Sequence, residues 1–270
     1  MQPVVNAYIW VAHVLTVIVG FFYVAAVWLV TAPFDPGRYA AGRAFRHLAV
    51  TASWLNPYWK FRTDGVRVAD PRRPYVAVSN HESYADIFLI SHLPWEMKWM
   101  AKDTIFKIPV MGWMMRMAGD IPVTRGSRDS AVQAIAAGRD RLLKKVSVMI
   151  FPEGTRSTGV EMREFRDGAF RLAIEQGVPI LPIAVAGTRY AMAKHSFQFR
   201  RAEAICRVLP PVDTAGLTLA DLPALRERVR ALIDDARHAL RRDLGLPPIA
   251  AEVEADAADE ADAESAPSRR

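Results

Sequence analysis

The stretch "RPYVAVSNHESYAD", residues 73–86, opens as a short apolar run behind Pro74 and breaks after Val78 into polar residues. An apolar run of this length closed by a turn reads as a buried strand. In the polar half, "NHESYAD" (80–86), His81 and Asp86 stand five positions apart. Five helical residues rotate by about 500°, or about 140° net, so the two side chains cannot point the same way from within one helix. His81 is therefore expected in the loop after the strand, with Asp86 in the first turn of the helix that follows, where an acid suits the positive helix end. Strand ends of this kind are where open α/β sheets bind ligands. A carboxylate holding a histidine fixes its tautomer and stabilises its imidazolium, which makes a general base near neutral pH. On spacing alone, a simple polar turn reads the same.

Working outward, strand-like runs recur as "GVRVAD" (65–70), "EMKWMA" (96–101), "GDIPV" (119–123), "VSVMIF" (146–151), "PILPIAV" (179–185) and "EAICRVL" (203–209). Helical stretches separate several of them, at 127–145, at 168–177 closed by Gly177, and at 222–244 with Leu225, Val229, Leu232 and Ile233 on one side. This alternation specifies an α/β sheet with helices on its faces.

The chain has 270 residues, 51% of them hydrophobic, enough for one sizeable core, and a single cysteine, Cys206, which excludes a disulfide framework. Its net charge of +6 conceals an asymmetry, because residues 246–270 hold seven acids against two arginines. The body is accordingly more basic than the whole and suits an anionic partner, either nucleic acid or lipid. Residues 7–32, "AYIWVAHVLTVIVGFFYVAAVWLVTA", contain no Asp, Glu, Lys or Arg and favour lipid. As a helix they extend about 39 Å, enough to cross a bilayer. The start "MQPVVN" lacks the basic flank of a cleaved signal, so the segment is expected to be retained. Residues 38–62 mix Arg38, Arg43, Arg46, Lys60 and Arg62 with Phe45, Trp54, Tyr58 and Trp59, which predicts a helix in the headgroup region. Basic residues after the apolar segment place the body on the cytoplasmic face, and an interfacial helical hairpin that enters one leaflet is the alternative to a full span. The expected divisions are a membrane-anchoring helical region at 1–62, a catalytic domain at 63–246 and a disordered acidic tail at 247–270.

Two further stretches carry chemistry. In "FPEGTRSTG" (151–159), Gly154 and Thr155 offer donors to an anion and Arg156 a guanidinium fork that suits phosphate; a solvated turn is the alternative. The run 102–125, "KDTIFKIPVMGWMMRMAGDIPVTR", spaces Ile105, Phe106, Val110, Trp113, Met114 and Met117 as a helix would, and Lys102 and Arg125 flank it. The order of a nucleotide P-loop, the G-x-S-x-G elbow and the H-E-x-x-H zinc helix are all missing from the sequence.

In their order, "NHESYAD", Lys102 to "GDIPVTR", "FPEGTRS" and "VPILPIAV" (178–185) resemble the four blocks of the 1-acylglycerol-3-phosphate acyltransferase, or lysophosphatidic acid acyltransferase, family over roughly residues 63–210. The resemblance implies a mixed sheet flanked by helices, of the glycerol-3-phosphate acyltransferase type, behind an N-terminal membrane-anchoring segment. It implies His81 as the base that deprotonates the free hydroxyl of a lysophospholipid, oriented by Asp86, with Asn80 and Ser83 as further positions of the first block. Glu153, Gly154, Thr155 and Arg156 match positions that bind glycerol phosphate, Lys102 and Arg125 assist, and Pro182 belongs to a block linked to the acyl donor. The acyl donor is a thioester of coenzyme A or acyl carrier protein, and neither metal nor cofactor is expected. Tyr84 stands where many relatives have tryptophan, and Arg166 where lysine is common. Other acceptors stay open: glycerol 3-phosphate, another lysophospholipid or a lyso-aminolipid. So does a catalytically silent protein that binds anionic lipid. A nucleic-acid partner is not expected, since the charge is dispersed and no binding module is recognisable.

Overall fold

The computed structural model describes residues 2–157, 159–192 and 198–253. Seven strands form one sheet: β1 (Trp59–Gly65), β2 (Val76–Ser79), β3 (Met97–Lys102), β4 (Ile121–Val123), β5 (Ser147–Ile150), β6 (Ile180–Ala186) and β7 (Ala202–Val208). Their order is β1-β7-β6-β2-β5-β3-β4, with β6 and β7 antiparallel and every other neighbouring pair parallel. The sheet is therefore mixed, and its helices lie on both faces.

Alternation along the central strands supplies both layers of the core. Val76, Val78, Val148, Ile180 and Ala184 face one way, against α5 (Arg128–Leu143), α6 (Gly168–Gln176) and α7 (Leu222–Asp243). Ala77, Met149, Leu181, Ile183 and Val185 face the other way, with Leu89 and Ile90 of α3 (Ala85–Ile90). Burial on both faces is why these strands read as continuous apolar runs.

At the N-terminus, α1 (Gln2–Thr31) carries no Asp, Glu, Lys or Arg and has a mean hydropathy of 2.4 over its most apolar window. Ile9 packs near Trp59, Ala191 and Phe199, and Val24 near Ala44 and Met114, while Val11, Leu15, Val19, Phe22 and Leu29 are exposed. A soluble core would not leave such a row in water. Gly20 lets α2 (Tyr39–Trp54) lie close, because a Cβ there would stand 2.3 Å from Leu48 Cδ1.

Several details depart from the sequence reading. The helix expected to reach residue 62 ends at Trp54, and Trp59–Gly65 is instead an edge strand in register with Ala202–Val208. Pro57 stops helix continuation, and the Asn56 side chain accepts the Tyr58 N–H at 3.0 Å to form the turn. Arg43 and Arg46 also point inward rather than to headgroups. Arg43 donates to the carbonyls of Leu93 and Trp95, and Arg46 pairs with buried Asp120. "GVRVAD" is a loop beyond Gly65, and the run at 102–125 is broken into a 3-10 turn (Ile105–Lys107), α4 (Met111–Ala118) and β4. Residues 249–253, expected in the acidic tail, form a helical turn whose Glu252 pairs with Arg241; the rest of the expected tail, 254–270, lies outside the described residues.

Candidate active site

Because β2 to β6 run parallel, their C-terminal ends open on one edge of the sheet, and the segments that follow them meet there. His81 follows β2, Lys102 ends β3, Arg125 follows β4, Phe151–Arg156 follow β5 and Thr188 follows β6.

His81 lies in the loop and Asp86 in the first turn of α3. The imidazole Nδ1 is 2.6 Å from Asp86 Oδ2, which also accepts the backbone N–H groups of Glu82 at 2.8 Å and Ser83 at 3.0 Å. The other oxygen, Oδ1, accepts the Thr188 hydroxyl. Asp86 is wholly buried, so all four donors serve one carboxylate in a region of low dielectric, where each is stronger than in water. An acceptor-only carboxylate at Nδ1 sets the proton there and leaves Nε2 with its lone pair. Among the described residues no hydrogen bond reaches Nε2. The imidazole stacks on Phe151, with centroids 3.9 Å apart and planes 15° from parallel.

Glu153 holds the same histidine from its other end. Its Oε1 accepts the His81 N–H at 2.8 Å, and Oε2 accepts the Ser157 hydroxyl at 2.5 Å and the Arg163 N–H at 3.0 Å. The Ser157 N–H donates back to the His81 carbonyl at 2.9 Å. Burial pushes the Glu153 carboxyl above the usual carboxylate range, and the three donors pull against it. Between Glu153 and Thr155 the chain turns at Gly154, φ 71°, where a Cβ would come within 2.7 Å of the Arg166 guanidinium. Only glycine satisfies both the conformation and the approach.

Arg156 lies over the Tyr84 ring at 3.9 Å, and Arg125 reaches Thr155 Oγ1 at 3.4 Å. Lys102 is exposed beside them in the sheet order, at the end of β3 and paired in register with Val123. The open edge thus carries a histidine with a free ring nitrogen and a cationic rim on the neighbouring strand ends.

Four residues of the matched blocks, Asn80, Ser83, Glu153 and Pro182, are turned inward. Asn80 bonds both ends of its amide to the Val185 backbone, at 2.9 and 2.8 Å. Ser83 is buried and accepts the Ala85 N–H, and Glu153 is used as described above. Pro182 sits inside β6 opposite Val78, and its carbonyl accepts the Leu209 N–H at 2.9 Å. Two residues escaped the sequence reading. Phe151 stood unremarked inside a quoted stretch, and Thr188 was signalled only by following a strand of the same parallel set. Among the described residues no three of His, Cys, Asp and Glu gather as metal ligands.

Residues 60–186 match the acyltransferase family. Human 1-acyl-sn-glycerol-3-phosphate acyltransferase alpha is 38% identical over 162 residues, which cover 59% of this chain and 57% of that protein. A Chlamydomonas reinhardtii protein named for the same activity is 36% identical over 156 residues, 57% of this chain and 47% of its own length. The Saccharomyces cerevisiae enzyme of that name is 32% identical over 193 residues, covering 68% and 64%. The chain thus spans about half to just under two thirds of these relatives. The crystal structure of the 1-acyl-sn-glycerophosphate (LPA) acyltransferase of Thermotoga maritima has the same fold, with a TM-score of 0.75 at 22% identity, covering 89% of this chain and 96% of that one.

Proposed function

Because residues 60–186 match the acyltransferase family, we propose that this protein moves an acyl chain from a thioester to the sn-2 hydroxyl of 1-acylglycerol 3-phosphate, yielding phosphatidic acid. The observation that carries this reading is the buried Asp86 carboxylate on His81 Nδ1, with Nε2 left free at the open sheet edge. Nε2 takes the hydroxyl proton as the oxygen attacks the thioester carbonyl. The new C–O bond forms, the C–S bond breaks, and the imidazolium returns its proton to the departing thiolate. Asp86 stabilises the charged ring in between. Such base assistance is typically worth about 10² to 10⁴-fold. The acyl carbon is already activated, so no covalent enzyme intermediate is required.

Arg156, Arg125 and Lys102 bind the acceptor's phosphate, which turns the hydroxyl's encounter with base and carbonyl into a positioned one. Arg156 is already held by Tyr84, so less side-chain freedom is lost on binding. The exposed apolar flank of α1 supports a bilayer location, with the sheet domain on the cytoplasmic face where acyl-coenzyme A or acyl carrier protein is met.

The test is transfer by the purified protein in lipid vesicles, with 1-acylglycerol 3-phosphate, glycerol 3-phosphate, a lysophospholipid of larger head group and a lyso-aminolipid, each offered with both donor types. Phosphatidic acid should be the preferred product, and His81→Ala should remove about 10² to 10⁴-fold of the rate while lipid binding persists. Preference for another acceptor would overturn the substrate assignment. Wild-type turnover in His81→Ala would overturn the mechanism.

A further inference from the structure

Helix α7 buries the stripe Leu225, Val229, Ile233 and Leu240, and Arg237 interrupts it one turn beyond Ile233. A guanidinium on a core-facing stripe is costly unless it is fully paired. Arg237 is only 2% exposed. Its Nε is 2.8 Å from Glu82 Oε1, its Nη2 donates to the Val160 carbonyl, and its Nη1 lies 3.7 Å from Asp234. Glu82 is the residue after His81, and its N–H is one of the donors to Asp86. Val160 lies in the segment that begins at Glu153, between the Ser157 and Arg163 groups that bond Glu153.

We propose that Arg237 is a positioning residue: a single planar fork, held rigid by α7, that fixes the loop carrying the base against the loop carrying Arg156. It touches no reacting atom. By spanning Glu82 and Val160 it sets where His81 stands relative to Arg156, and so where a phosphate-anchored hydroxyl stands relative to Nε2. The proposal rests on the acyl-transfer reading above. Lysine cannot reproduce the arrangement, because one ammonium on a flexible stem lacks the two diverging donors. Removing the fork also leaves the Glu82 carboxylate buried without its cation, although burial already drives that carboxyl towards its neutral form.

The test compares Arg237→Lys, Glu82→Met, which removes the acceptor at similar size, and the double variant in the full chain, by kcat, by KM for 1-acylglycerol 3-phosphate and by thermal melting. Misplacing reacting groups by about 1 Å costs about 10²-fold, so Arg237→Lys should lose about 10 to 100-fold in kcat/KM, shared between lower kcat and higher KM, without a matching loss of the folding transition. The double variant should be no slower than the worse single one, since both break the same link. Wild-type kcat and KM in folded Arg237→Lys, or losses that multiply in the double variant, would overturn the inference. Should Arg237→Lys fail to fold, Glu82→Met alone decides: reduced kcat with a normal melt supports the link, and unchanged kcat refutes it. His81→Ala, assayed alongside, separates the two readings. An active His81→Ala would sink the acyl-transfer mechanism, whereas a dead His81→Ala beside a fully active Arg237→Lys would sink only the positioning role.

Discussion

Two buried carboxylates hold His81, and they hold different parts of it. Asp86 takes the ring through Nδ1 and is itself fixed by two backbone N–H groups and the Thr188 hydroxyl. Glu153 takes the backbone N–H and joins it to a loop 72 residues further along the chain. Asp86 therefore acts on the charge and direction of the imidazole, while Glu153 acts on the place of the whole residue relative to Arg156 on its own loop. Removing the first should damage turnover with the fold intact. Removing the second should damage stability and acceptor binding together.

The sharpest way to break the comparison is Asp86→Asn. The amide oxygen must face the three donors now at Oδ2, so its NH2 faces Thr188, whose hydroxyl can rotate to accept. The histidine tautomer then survives and only the negative charge is lost. We expect kcat to fall about 100-fold, the low end of what a base contributes. The acceptor KM should stay within about threefold, because no phosphate contact changes. An Asp86→Asn enzyme with wild-type kcat would show that the charge on Asp86 plays no part.

Glu153→Gln should have the next largest effect and a different signature. The carboxylate accepts on both oxygens, from His81 on one side and from Ser157 and Arg163 on the other. An amide has one acceptor, so a backbone N–H is left facing an NH2 group, which costs about 1–3 kcal/mol. We expect about a tenfold loss in kcat/KM, most of it in KM. Burial raises the Glu153 pKa in the folded protein, so the native state holds its proton to higher pH than the unfolded chain does. Stability from this group is greatest at acid pH and falls as pH rises from about 4 towards 7. Glutamine does not titrate. The melting-temperature deficit of Glu153→Gln should accordingly be largest near pH 4 and shrink towards pH 7; a deficit that grows with pH would reverse the assignment.

The same contrast explains what was legible in the sequence. His81 and Asp86 are local, and helix geometry alone separates them into loop and first turn, so where each stands could be read from five positions, although the spacing alone left a polar turn as the alternative to a pair. Strands buried on both faces announced themselves as apolar runs. Glu153 is a carboxylate in a glycine turn, which looks like solvated charge until tertiary structure brings it to the His81 N–H. The arginines of α2 failed similarly: a helix face of Arg43 and Arg46 looks the same whether it meets headgroups or buried carbonyls and Asp120. Strand β1, "WKFRTDG", is an edge strand with charges on its open side, and it carries no apolar run to give it away. Arg237 offered one signal, a cation at a position where the α7 stripe calls for an apolar residue.

The smallest predicted effect tests whether the ring is held by charge alone. Phe151 stacks flat on the His81 imidazole and is itself braced by Trp99, with centroids 5.9 Å apart. A neutral imidazole gains little from the negative face of a phenyl ring, but an imidazolium gains about 0.5–1 kcal/mol at a partly exposed site. Phe151 therefore favours the protonated ring formed during the transfer, and Asp86 does the same from the ring edge. Phe151→Leu removes the face and keeps an apolar side chain, so kcat should drop about two- to fivefold at constant acceptor KM. Phe151→Tyr keeps the face and should be neutral. If Leu and Tyr lower kcat equally, the stack contributes shape rather than electrostatics, and Asp86 alone carries the charge of the ring.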